Sequence, residues 1–292
     1  MLKKERQVFL RLFVWCFLVV SLTLSAVAPV LADMGEKPSV TLKIINAPAG
    51  PYAAALFVKG EPHKEEELKR FSDQWEKLAD GGLRHKVLQL EADGYRVAEH
   101  PGASLFIYTT DDDYRYFQGA FKFTYYAPST FKACVATSDF SIISDNEITS
   151  SRYACKAIFD AGTGELYEDL EAYEEDDRKV WTRSLYFLMA TLIVEGIFLL
   201  IFGLAHLRNF VIFLIMNVLT QAYLHYTVWA YRVDNGSGLG ASIHWAGTEL
   251  MILIIETLVY TITMKEKNGK RWKCFLYGIV ANILSAFCSF LN

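Results

Sequence analysis

Four apolar runs, each close to the roughly 20 residues that a helix needs to cross a bilayer, fill the C-terminal part of this chain. They cover about 180–204, 210–231, 243–264 and 272–291, and none contains proline. Trp181, Trp229, Trp245 and Trp272 sit near run ends, where an interfacial aromatic belt belongs. Residues 33–178 are by contrast mixed and rich in charge. The chain thus reads as a membrane protein in two parts, an exported α+β, β-rich N-terminal domain followed by an all-α four-helix transmembrane bundle. The formal net charge of -4 leaves no large basic surface, which excludes a nucleic-acid partner and leaves the lipid bilayer as the first expected one.

The N-terminus reads as a targeting segment. Lys3, Lys4 and Arg6 form a basic head, an apolar run follows over 12–28, and Pro29 leads into Val30-Leu31-Ala32. This pattern predicts a signal peptide over 1–32, cut between Ala32 and Asp33; the long apolar run leaves an uncleaved anchor as the alternative. Export of the next segment orients the bundle. The loop at 265–273 then falls inside, with Lys265, Lys267, Lys270, Arg271 and Lys273 against one acid, in keeping with the positive-inside rule. The expected location is the cell membrane, multi-pass, with the N-terminal domain and the C-terminus extracytoplasmic. Asn235-Gly236-Ser237 matches a glycosylation sequon but lies in a short loop and reads as a turn.

The third run holds two carboxylates, Glu249 and Glu256, in "TELMILIIETLVY". Seven residues apart on a helix, they point almost the same way, and Tyr260 and Thr263 extend the stripe. The second run carries Asn217, Thr220 and Gln221 with His225 at the edge. The fourth carries Gly278, Asn282, Ser285 and Ser289, and the first carries Glu195. Counted from the cytoplasmic ends, Glu195, Asn217, Glu256 and Asn282 all lie roughly 12–14 Å deep, with Gln221, His225 and Glu249 nearer the exported side. Ionisable groups in lipid are expensive, so the spacing predicts a common polar centre facing inward. Three uses follow: structural hydrogen bonding between helices, a proton or ion site built on Glu195 and Glu256, or a hydrolytic or metal site. No HExxH spacing appears and Ser285 and Ser289 show no partner base, so no catalytic residue, metal or cofactor is assigned.

The exported part divides into a domain over 33–163 and an acidic juxtamembrane stalk over 164–179, ahead of the membrane region at 180–292. "VTLKII", "YAAALFV", "SLFIYTT", "GAFKFTYY", "TFKACVAT", "FSIIS" and "RYACKAIFD" read as strands; Phe121, Phe123 and Tyr125 alternate with Lys122 and Thr124. An amphipathic helix is expected over 61–82, with Leu68, Phe71, Trp75 and Leu78 on its apolar face. Cys134 and Cys155 lie in two of the strands and are either a disulfide in an oxidising compartment or two buried thiols. Asp111-Asp112-Asp113 is a solvated turn or, in the minority reading, a calcium ligand set.

"YYAPSTFKACVATSDFSIISDNEI", "EGIFLLIFG", "NVLTQAYLHY", "TELMILIIETLVY" and "YGIVANILSAF" resemble blocks of an uncharacterised bacterial membrane-protein family. That resemblance implies a signal peptide, an exported domain and four spans, and transfers no activity. The function expected from the residues is an extracytoplasmic domain that binds or senses a peptide, envelope component or protein partner, anchored and coupled through the bundle. The alternatives are an ion- or proton-coupled transport component using Glu195 and Glu256, and an intramembrane hydrolase.

Overall fold

A computed structural model describes residues 36–292 apart from 68, 70–81, 92, 101–103, 111–115, 118, 126, 267–268 and 291–292. The expected signal segment, most of the helix expected over 61–82, the Asp111–113 cluster and Asn292 lie outside the described residues, as do the side chains of Cys288 and Ser289.

The N-terminal region is built from strands β1 (Ser39–Ile45), β2 (Ala53–Lys59), β3 (Tyr95–Val97), β4 (Glu99–His100), β5 (Ser104–Leu105), β6 (Ile107–Thr109), β7 (Tyr116–Phe117), β8 (Ala120–Phe123), β9 (Thr130–Ala136), β10 (Ser141–Ile143), β11 (Ile148–Thr149), β12 (Ala154–Asp160) and β13 (Leu166–Glu168). A short helix, α1 (Leu83–Leu88), precedes β3. One sheet runs β13-β12-β1-β8-β7, with β1 parallel to β12 and the other pairs antiparallel. The second runs β10-β9-β2-β3, with β6 added to β2 and β11 to β9; β4 and β5 pair separately.

Side-chain alternation makes these sheets a sandwich. Val40, Leu42 and Ile44 of β1, Phe121 and Phe123 of β8, and Ala157 and Phe159 of β12 meet Ala54 and Leu56 of β2 and Phe131, Ala133 and Val135 of β9 in one core. The other face of the second sheet is also buried: Ala53, Ala55 and Phe57 of β2 and Cys134 and Ala136 of β9 pack with Leu83 and Val87 of α1. β2 is therefore apolar from Ala53 to Val58, and its sheet is the middle layer of three. This arrangement separates the two readings of the cysteines, in favour of buried thiols over the possible disulfide. Cys134 points outward under α1 while Cys155 points into the core between the sheets, and both are buried free thiols. Burial pushes both thiols above their ordinary range.

Four long helices follow: α2 (Leu170–Ile201), α3 (Leu207–Asn235), α4 (Leu239–Thr263) and α5 (Arg271–Phe290). Those of α2, α3 and α4 are long and apolar enough to cross a membrane, which marks the chain as a membrane protein. The helix bounds differ from the expected spans by a few residues at most ends, with one large exception. The acidic stalk is not a separate linker: 166–168 complete the first sheet as β13, and α2 starts at Leu170, where the Asp169 carboxylate accepts from the Ala172 amide at 3.0 Å.

One buried network contributes to the acid sensitivity of the sandwich. His63 Nδ1 lies 2.5 Å from Glu91 Oε1, and the amides of His63 and Val97 donate to the same carboxylate at 2.9 and 3.1 Å. Burial alone raises the Glu91 pKa, but these hydrogen bonds outweigh it and hold the carboxyl below its usual range. A depressed folded pKa contributes stability above the unfolded pKa, which is lost as pH falls through the folded value. Glu91→Gln in the full-length protein should cost about 1–3 kcal/mol at neutral pH and flatten the acid limb of the melting temperature against pH. Thermal melts from pH 7 downward, to about 3, check this.

Candidate functional site

The helices of the C-terminal region are polar inside and apolar outside. Along α2, Ser184, Thr191 and Glu195 are buried while Leu185, Ile193, Ile197 and Leu200 are exposed. Along α3, Asn209, Asn217, Thr220 and Gln221 are buried and Ile215 and Leu219 exposed; along α4, Thr248, Glu256 and Thr257 are buried and Ile254, Leu258 and Ile262 exposed. A water-soluble bundle has the opposite pattern. Hydrocarbon outside makes this arrangement favourable, because each apolar side chain then meets lipid and each polar one meets another helix. The helices form a closed ring in which each touches the next and α5 returns to α2.

At the middle of the ring, Glu195 and Glu256 are each 1% exposed and Asn217 is 0% exposed. Each carboxylate oxygen has a donor. Ser285 Oγ donates to Glu195 Oε1 at 3.0 Å, and Asn217 Nδ2 donates to Glu195 Oε2 at 2.9 Å. The Thr220 hydroxyl donates to Glu256 Oε1. Asn282 Nδ2 and the Tyr260 hydroxyl donate to Glu256 Oε2 at 3.0 and 3.3 Å. Asn217 Nδ2 also donates to Tyr260 OH at 3.1 Å, so a chain of hydrogen bonds runs from Glu195 through Asn217 and Tyr260 to Glu256. All four helices contribute, and among the described residues no ion pair involves either acid.

The other named residues lie outside this contact set. Gln221 is buried one turn from Asn217, and Glu249 is half-buried two turns along α4, toward the sandwich; neither hydrogen-bonds the two acids. His225 is half-buried against Phe187, the rings 6.2 Å apart. Two features of the site are missing from the sequence reading. The Tyr277 hydroxyl reaches the Glu195 carbonyl at 3.4 Å, a contact that no spacing within one helix announces. Gly278 lets α5 approach α4 so closely that a Cβ there would lie 2.8 Å from the Thr257 Cα.

Away from the sandwich, Asn209 closes the bundle. Its amide donates to the Leu204 and Lys265 carbonyls, both at 2.8 Å, and its Oδ1 accepts from the Lys265 amide at 2.9 Å. Leu199, Leu204, Phe213, Met264, Cys274 and Ala281 fill the space between this end and the acids.

A graded series of variants tests the centre. Glu256→Gln keeps a hydrogen-bonding side chain and should change stability little. Glu256→Leu removes three bonds of about 0.6 kcal/mol each and should cost about 1–2 kcal/mol. Gly278→Leu must push against backbone and should be the most damaging, read as the loss of the folded peak in detergent and a lower melting temperature. No protein-family model, curated protein or solved structure matches this chain, so the site is read from its own geometry.

Proposed function

We propose that the chain is a membrane-anchored binding or sensing protein whose β-sandwich lies outside the cytoplasm and is coupled to a four-helix bundle that crosses the bilayer. α5, with 20 residues, is the fourth crossing. The topology is supported by charge: the bundle end away from the sandwich carries Arg208, Lys265, Lys270, Arg271 and Lys273, the signature of a cytoplasmic face.

The observation that carries this reading is the joint between sandwich and bundle. At 32 residues α2 is about 48 Å long, well beyond the roughly 30 Å hydrocarbon core, so its first turns stand clear of lipid. Those turns are bound to the sheet and to α3 together. Arg152, just before β12, holds Asp177 of α2 through two bonds of 2.9 and 2.7 Å, and Trp229 Nε1 of α3 donates to the same carboxylate at 2.9 Å. The Tyr173 hydroxyl accepts from the Lys156 amide at 2.8 Å, and the Arg152 guanidinium lies 4.3 Å over the Tyr173 ring. In the last turn of α3 Val233 O accepts from the Tyr153 amide at 2.9 Å, and just beyond it the Ser237 amide donates to Glu36 Oε2 at 2.9 Å. Gly236, at φ 78°, sits directly on the Tyr153 ring, where a Cβ has no room. A plain tether needs none of these contacts; a domain whose displacement must move α2 and α3 needs several.

The outward face of the first sheet is the surface offered for recognition. It carries Thr41, Lys43, Lys122 and Ile158, which pair across β1, β8 and β12; Lys156, on the same face, is held by α2 through the Ala172 carbonyl and Asp176. One observation favours the second reading, ion- or proton-coupled transport: two carboxylates lie in the bundle with no basic partner among the described residues.

A photo-crosslinking amino acid at Lys43 or Lys122, in native membranes of intact cells, should capture a specific peptide, envelope or protein partner. Absence of an adduct from both positions in correctly folded protein would overturn the binding role.

A further inference from the structure

Among the described residues, nothing around the two acids of the bundle balances the charge they leave. The groups facing them are Asn217 and Thr220 from α3, Tyr260 and the more distant Glu249 from α4, and Tyr277, Asn282 and Ser285 from α5. Glu249, Tyr260 and Tyr277 are the titratable ones, and none can carry a positive charge. Either a metal cation or a proton must supply positive charge, because two bare carboxylates in apolar surroundings are prohibitively costly.

The hydrogen-bond pattern separates these two. A metal cation needs several oxygen lone pairs turned toward one point. Here five donor groups surround the four carboxylate oxygens; the Asn217 and Asn282 amides point their hydrogens inward and repel a cation, while the single hydrogens of Thr220 and Ser285 are shared with the Met216 and Asn282 carbonyls. A proton needs instead an acceptor for the O–H of the carboxyl that holds it. Asn217 supplies one. Its Oδ1 is buried and has no donor, while its Nδ2 is spread over three acceptors, Glu195 Oε2, Tyr260 OH and the Phe213 carbonyl. Half a turn of the amide about its last bond places Oδ1 where Nδ2 now meets Glu195 and Tyr260. It then accepts from a protonated Glu195 and from the tyrosine hydroxyl.

The two ends of the bundle differ, although Leu224, Val228 and Ile252 pack together on the sandwich side as well. Apolar packing closes the route from the end away from the sandwich. On the sandwich side stand Gln221, Glu249, His225 and His244, and the Nε2 atoms of both histidines are buried without partners. Glu249 lies about 10 Å along α4 from Glu256, with the buried Ile252 between, a gap that takes more than one water to bridge.

We propose that Glu195 and Glu256 hold one exchangeable proton between them, that Asn217 follows it by turning its amide, and that the proton arrives from the sandwich side through Glu249. This rests on the bundle crossing the bilayer and is independent of what the sandwich binds.

Infrared spectra of the full-length protein in detergent at neutral pH test it without reference to any partner. The wild type minus the Glu195→Gln, Glu256→Gln double variant should give a difference spectrum with one protonated-carboxyl C=O band and one carboxylate. On transfer to heavy water that band should shift, and Glu249→Gln should slow the shift by at least about tenfold. A difference spectrum with carboxylate bands alone would overturn the proton site. An unchanged exchange rate in Glu249→Gln protein that retains the band would overturn the relay. If the double variant does not fold, the single variants Glu195→Gln and Glu256→Gln serve: an acid band altered in neither also contradicts the proposal.

Discussion

A polar side chain in hydrocarbon has no water to bond, and every feature of the helical region follows from that. Glu195 and Glu256 are tolerable only if donors surround them, and no single helix can supply those donors. Glu256 shares its own helix with Tyr260, but its other two partners come from α3 and α5. Both side-chain partners of Glu195 come from other helices. The acids therefore tie the ring together and fix the rotation of each helix about its axis, since turning any helix outward strands a carboxylate or an amide in lipid. Gly278 works to the same end by allowing the close approach that brings Asn282 within reach of Glu256.

The sandwich imposes a second requirement at the other end of α2. β1 takes the centre of its sheet between β8 and β12. The chain leaves that sheet through β13 and enters α2 after one residue, Asp169, which caps the helix. There is no slack between sheet and helix. Arg152, Asp177 and Trp229 then join the strand side, α2 and α3 at one point. A force on the sandwich has a direct mechanical route into two of the helices whose side chains meet in the polar centre.

Much of the bundle is legible in the sequence because it depends on two simple periods. Helical rise alone places Glu195, Asn217, Glu256 and Asn282 at one depth, and helical rotation alone aligns Glu249 with Glu256. What rise and rotation do not give is which groups touch. Glu249 shares the stripe but stays two turns away, with the buried Ile252 between, while Thr220 and Ser285 make direct bonds. In the N-terminal region, alternation in "GAFKFTYY" and "VTLKII" reveals the strands but not their partners. The parallel pairing of β1 with β12 spans more than a hundred residues, and the placing of Cys134 and Cys155 in separate cores follows from it and from the three-layer stacking. The Arg152–Asp177–Trp229 joint was hidden for the same reason: an acidic run beside a membrane span reads as exposed until the basic and aromatic partners arrive from distant segments.

The central claim is that the four helices turn one polar stripe each toward a common point. Cysteine crosslinking within single chains in native membranes tests it most directly. Glu195→Cys with Ser285→Cys, and Thr220→Cys with Glu256→Cys, should each be joined by a short bifunctional reagent, while Ile193→Cys with Leu258→Cys, on faces 60% and 53% exposed, should not. Joining of the control pair with failure of the other two would mean that the helices present their apolar faces to one another and that the polar centre does not exist.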